Sequence, residues 1–377
     1  MGYGLGKDSP VVLSLGKGNF EALIDRHGQW LRWLIAKKCP CLINNRPDPH
    51  CEKCGGFGDI YSYQREYEDI YRATVRDNII PVPEEYIDAV ILEVYNAHGK
   101  KFEFCRCGDF VQIIGARIQN NELVDVRFRA PLVKRIESVT LQKIGGGCYR
   151  VPGILTKPSM LEGVYYQAPG DVISVSGLKD ENGDPVEVLG YRLDMVVTES
   201  QAETLTAASV EYILPFRFIV LSQNLSKEDT LFLNAHKGDA VCTFPYSFNV
   251  SENDLLTVLS GNMTHKINME HTDDPDDPDD ILTEFFVSKV DNIETKEASF
   301  KEGEDFILVG SNKIHWIGNQ PNPGEIMAVS YRYLPTYRIF LDIPSLRTSE
   351  DQRIPRKVAL RLYSAFAESK GVNVNAS

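Results

Sequence analysis

A chain of 377 residues, 43% apolar and 10% aromatic, carries enough apolar material for two or three ordinary cores, which excludes global disorder. Its formal net charge of -13 argues against a dedicated nucleic-acid binder, because neutralising phosphates requires a basic surface. Eight cysteines are too sparse for a disulfide scaffold, and their C-x-C and C-x-x-C spacing fits metal binding in a reducing compartment.

The N-terminal residues show no signal-peptide pattern, and Gly6 stands where a myristoylation site needs Ser or Thr. No stretch approaches the roughly 18 apolar residues of a membrane span. The expectation is a soluble chain, made in a cytoplasm and without a membrane partner. From Asn19, a plausible N-cap, Phe20, Leu23, Ile24, Trp30, Leu31, Leu34 and Ile35 recur near a 3.6-residue period and predict a helix ending at Lys37-Lys38.

That segment runs directly into Cys39-Pro-Cys41, followed by Cys51-Glu-Lys-Cys54-Gly-Gly-Phe-Gly58. Two close cysteine pairs joined by a short polar loop can offer four thiolates to one tetrahedral zinc ion, and the glycines let the backbone turn around it. A closed four-thiolate site leaves no open coordination position, so the zinc would be structural. The competing reading is a loop of free or oxidised thiols, with His50 as a substitute ligand. Residues 1–58 are thus expected to form a helix-and-knuckle segment that takes much of its folding free energy from the metal.

Beyond Ile60 the pattern becomes β. Val90–Tyr95 and Lys101–Cys107, joined by Asn96-Ala-His-Gly99, predict a hairpin inside a small barrel or sandwich over residues 59–132. Cys105 and Cys107 lie two apart on that hairpin and are read as strand thiols sharing one face. Cys148 and Cys242 are read as core thiols.

Residues 133–345 alternate short strands with turn signals such as Glu181-Asn-Gly-Asp, Lys237-Gly-Asp and Glu302-Gly-Glu-Asp, which predicts one or two antiparallel sandwiches. They carry an acidic loop, 272–280, with six aspartates between Asp273 and Asp280. Calcium is one reading, but the loop lacks an EF-hand's Gly and distant Glu. A solvated, self-repelling loop is preferred, with a basic neighbour as another option. Residues 346–377 are read as a tail with a short helix over Lys357–Ser369. The fold class expected is mainly β, framed by a helix at each end.

Catalytic signatures are missing: there is no G-x-S-x-G, no H-E-x-x-H and no Walker lysine motif. The seven histidines are scattered. No enzyme is expected.

The segment from His27-Gly-Gln-Trp30 through Cys39-Pro-Cys41, Arg46-Pro-Asp-Pro-His-Cys51 and Cys54-Gly-Gly-Phe-Gly58 resembles a pattern common in virion structural proteins of tailed bacteriophages. More loosely, Phe300–Val309, Lys313-Ile-His-Trp316, Pro321–Gly324 and Val329–Pro335 are similar to β modules of phage neck, tail and baseplate components. The first likeness implies that Cys39, Cys41, Cys51 and Cys54 hold a structural zinc. Together the two imply a virion component, first of all a neck or head–tail connector protein that forms a homo-oligomeric ring beside portal, neck or tail proteins. An acidic lumen would let DNA pass without holding it. Other expectations are a tail or baseplate component, or a host-surface module whose Trp316 stacks on sugars. Trp30 and Trp33 are read as interface anchors if one is exposed, or as two core residues.

Overall fold

The structure, a computed structural model, describes residues 28–43, 46–48, 50–51, 53–54, 58–156, 159–161, 164–222, 239–244, 248, 250–272, 279–284, 286–343 and 356–363. It is mainly β. Among the described residues the one complete helical element is a 3-10 turn at Glu84–Tyr86, and antiparallel pairing organises each sheet. The chain divides into two compact units, one of residues 1–63, 135–245 and 250–377, the other of residues 64–134 and 246–249.

The larger unit is organised by a seven-stranded sheet. Its order is Phe216–Ser222, Ala240–Phe244, Arg356–Leu362, Thr336–Ile343, Leu255–Val258, β1 (Gln29–Lys38) and β2 (Asp59–Tyr63). Gln29, Trp30 and Leu31 also pair with Phe218, Arg217 and Phe216, so the sheet closes on itself through β1.

The helix expected to end at Lys38 is therefore a strand over Gln29–Lys38; its first half, including Asn19, Phe20, Leu23 and Ile24, lies outside the described residues. The physical reason is burial on both faces. Leu31, Arg32, Trp33 and Leu34 are all buried, so β1 lacks the in–out alternation that announces a strand. Trp33 meets Phe216 at a ring distance of 6.0 Å, and Phe216, Phe218 and Phe244 continue the aromatic row. On the opposite face Trp30, Leu34 and Ala36 pack with Tyr61, Ala168, Leu255, Phe286 and Leu334.

The short C-terminal helix expected from Lys357 is corrected in the same way. Arg356–Leu362 is a strand seated between Ala240–Phe244 and Thr336–Ile343, with Val358, Ala359 and Leu360 fully buried. Residues 364–369 of that expectation lie outside the described residues.

Three further sheets complete this unit's larger elements. A six-stranded sheet runs Asp171–Ser176, Thr204–Ile213, Val133–Gly145, Cys148–Arg150, Met195–Val197, Gly190–Arg192 around Leu141, Tyr149, Val196 and Leu205. A four-stranded sheet (Met263–Glu270, Ile326–Tyr333, Val287–Glu294, Ser299–Phe300) and a three-stranded one (Asp280–Ile281, Lys313–Trp316, Phe306–Val309) share a core that includes Val290, Phe306, Trp316 and Tyr331.

The smaller unit is one curled sheet built from β3 (Glu66–Thr74), β4 (Ile79–Pro81), β5 (Val90–Asn96), β6 (Lys101–Cys107), β7 (Phe110–Ile114) and β8 (Leu123–Pro131), in the order β3-β8-β5-β6-β7-β4. Here alternation holds: along β7, Val111 and Ile113 point into the core while Phe110, Gln112 and Ile114 point out. The expected β5–β6 hairpin is present, with Val94 opposite Phe102, Tyr95 opposite Lys101, and Gly99 at a φ of 75°. Asp59–Tyr63, expected in this unit, pairs with β1 instead.

Candidate metal centre

Cys39 is the first residue past β1, so the strand delivers it to a fixed position. The thiols of Cys39, Cys41, Cys51 and Cys54 all lie within 4.8 Å of one another. Cys39 Sγ is 3.7 Å from Cys51 Sγ, and Cys41 Sγ is 3.5 Å from Cys54 Sγ, so the pairs interleave along the chain. Cys39 and Cys54 are buried, Cys41 and Cys51 partly so, and all four are free thiols.

The connecting loop is held by its own backbone. Ile43 and Arg46 exchange hydrogen bonds of 3.1 and 3.0 Å, and the Cys51 N–H donates to the Asp48 carbonyl at 3.1 Å. The Asp48 carboxylate also accepts from the His50 N–H at 2.9 Å, which closes a tight turn before Cys51. The exit is fixed by Gly58, whose N–H donates to Cys54 Sγ at 3.3 Å while its carbonyl accepts from Cys39 at 2.9 Å. Its φ of 79° and the 3.2 Å approach of Leu42 and Pro47 to a would-be Cβ explain why glycine stands there. Gly55, Gly56 and Phe57 lie outside the described residues. Immediately beyond, buried Asp59 accepts from Lys38 at 2.9 Å and from Arg338 at 3.1 Å, so the two chain ends entering and leaving the loop are tied together.

Four sulfurs at a zinc–sulfur distance of about 2.3 Å sit on tetrahedron edges of about 3.8 Å. The observed spacing brackets that value, so this donor set fits a tetrahedral, thiophilic ion. Within the cluster the thiols are not equivalent. Hydrogen bonds from the backbone of Cys54, then from Cys41, bring the Cys51 thiol down to about 7. For Cys41 the backbone bond at Asp48 pulls downward, but burial and the neighbouring thiols prevail and push it up to about 12. Four thiolates held this close repel one another, and a cation among them offsets that repulsion. The four cysteines expected at the site are thus brought together, and they form a group able to hold a metal ion. His50 is exposed, and the group does not include it. The contribution of Asp59 had no signal in the sequence, since an isolated aspartate carries no motif.

Other sequence candidates fall elsewhere. Cys105 and Cys107 share one face of β6 with their sulfurs 3.6 Å apart, while Cys148 and Cys242 are buried. Residues 273–278 of the acidic loop, and Lys237 and Gly238 of the expected turn, lie outside the described residues; Asp239, which ends that turn, is buried and accepts from Arg361 at 3.2 Å. Two aspartates that end the run are structural: Asp279 accepts from His315 at 2.7 Å and pairs with Lys313, the basic neighbour expected of the loop. Asp280 is bonded to His271 at 2.7 Å and accepts from Trp316 Nε1 at 2.8 Å. Trp316 is enclosed by Phe300, Phe306 and His271, so it offers no face for stacking on a sugar. Trp33 is buried and donates to Asp254 at 2.9 Å, whereas Trp30 is partly buried beneath Arg217.

No known protein-family model and no curated protein sequence matches this chain.

Proposed function

We propose that this chain is a structural component of a tailed-phage virion, a neck or head–tail connector protein that assembles with itself into a symmetric ring, stapled by one zinc ion at Cys39, Cys41, Cys51 and Cys54. The observation that carries the reading is the convergence of those four thiols in the segment between β1 and β2 of the seven-stranded sheet. They belong to the segment that resembles phage virion proteins, and a four-sulfur donor set makes its metal a staple rather than a reaction centre.

Two properties support the reading. Buried polar pairs fix the β elements of the larger unit, as a load-carrying part in a repeating assembly requires: Arg32 with Asp171, Trp33 with Asp254, Asp59 with Arg338. The net charge of -13 disfavours adhesion to passing DNA. In this reading the chain carries out no turnover, its partners are further copies of itself and other virion proteins, and its destination is the virion. The test is electron microscopy of the purified full chain together with antibody labelling of particles. Rings of uniform size, with label at the head–tail junction, are expected; a monodisperse monomer and label elsewhere would contradict the assignment.

A further inference from the structure

A second pair of thiols remains outside the metal centre. β6 and β7 form a hairpin that turns at Gly108-Asp109, with Cys107 opposite Phe110 and Cys105 opposite Gln112. Opposed residues of an antiparallel pair share a face. β4 extends that face, placing Ile79 beside Gln112 and Pro81 beside Phe110. The outer face of this three-strand patch therefore presents Cys105 and Cys107 amid Phe110, Ile114 and Ile79, which are 37%, 48% and 38% exposed, with Gln112 and Glu103 exposed beside them. Arg106, between the cysteines, is anchored to the carbonyls of Ile87, Ala89 and Gly108, so the backbone carrying both thiols is held in place.

The separation of the Cys105 and Cys107 sulfurs, 3.6 Å, falls between the 3.5 and 3.7 Å of the close pairs in the first centre. It is the bite of one edge of a tetrahedral thiolate site. Among the described residues, however, no third Cys, His, Asp or Glu joins them: the group of three or more such ligands that the fold assembles is the Cys39 set. Half of a coordination sphere, set in an exposed and partly apolar face, is what a self-complementary two-fold contact completes, because the axis brings the same two thiols from the other copy.

We propose that Cys105 and Cys107 are one half of a second four-thiolate site for a soft divalent cation, zinc in the cell, and that a second copy of this chain supplies the other half. On ligation the thiols release their protons to solvent, and no oxidant is involved. Phe110, Ile79 and Ile114 are then covered by the partner copy. The inference stands apart from the virion reading, since it requires only a two-fold contact between chains.

The experiment is an anaerobic cobalt(II) titration of the reduced, metal-free full chain, with particle mass followed by sedimentation. The chain with its native cysteines is expected to take about 1.5 cobalt ions per chain with tetrathiolate absorption, and Cys105→Ser with Cys107→Ser about 1.0. Filling of the last half-equivalent should double the particle mass. Ile114→Arg keeps both thiols but replaces an apolar contact residue with a long, hydrated side chain that obstructs close approach of the partner copy; it should lose the half-equivalent and the doubling together. Equal cobalt uptake by the native chain and the double-serine variant would overturn the proposal. So would a further equivalent bound without a change in mass, or full uptake and doubling by Ile114→Arg. Far-UV circular dichroism of each variant confirms that the β fold is retained.

Discussion

The two units of this molecule place their charges differently. The larger unit has exposed pairs too, but it also holds an ion pair with both partners inside: Arg32 and Asp171 are 6% and 3% exposed, with Arg32 Nε donating to Asp171 at 2.6 Å and the guanidinium 4.0 Å from the Phe286 ring. In the smaller unit the core cluster is apolar and the pairs reach the surface: Glu68 accepts from Arg127 and Arg129 at 2.7 Å on the β3–β8 surface, and buried Asp125 accepts from the half-exposed Arg72 at 2.8 Å. The smaller unit is held by area; the larger one also depends on particular polar contacts that cannot be broken singly. Burial makes the difference, because a charge left alone away from water costs several kcal/mol, whereas one left on the surface is rescued by solvent.

The sharpest way to break this comparison is Asp171→Ala. It strands the Arg32 guanidinium among Phe286 and Tyr63, and a loss of about 3–5 kcal/mol in denaturant-monitored stability of the larger unit is expected. Replacing Arg32 with Met and Asp171 with Leu together should recover most of that loss, since no buried charge remains. If Asp171→Ala proved as mild as a surface change, the contrast between the units would be wrong.

The strands that sequence periodicity disguised belong to the same burial logic. β1 and Arg356–Leu362 both sit inside the seven-stranded sheet, apolar neighbours cover both of their faces, and Leu31–Leu34 and Val358–Leu360 form runs without alternation. Such a run carries no period of its own, so a helix fits it as well as a strand. In the smaller unit, where one face of each strand meets water, the β5–β6 hairpin and the shared face of Cys105 and Cys107 were legible directly. The four-thiol cluster was legible because its cysteines are close in sequence and its exit glycine is part of the motif. Asp59, Asp171 and Asp254 were not, because their partners lie up to 279 residues away and nothing local marks them.

The smallest expected effect lies on the outer face of the smaller unit. Hydrogen bonds from Arg129, then Arg127, hold the Glu68 carboxyl below its ordinary range. A depressed folded-state pKa means that the stabilisation is present above the unfolded carboxylate's pKa and is lost as pH falls through the lower folded value. Glu68→Gln should therefore cost about 0.5 kcal/mol near neutrality, shrinking in high salt and vanishing in acid. Paired denaturation curves across pH would show it, and a cost that grew on acidification would reverse the assigned sign.

The central claim is that Cys39, Cys41, Cys51 and Cys54 clasp one metal ion. Zinc-edge X-ray absorption on the full chain carrying Cys105→Ser and Cys107→Ser, purified under reducing conditions, tests it most directly. The expected result is one zinc per chain with four sulfur neighbours at about 2.3 Å, lost when Cys39 and Cys51 are also changed to Ser. A metal-free chain, or a first shell containing nitrogen or oxygen, would contradict it.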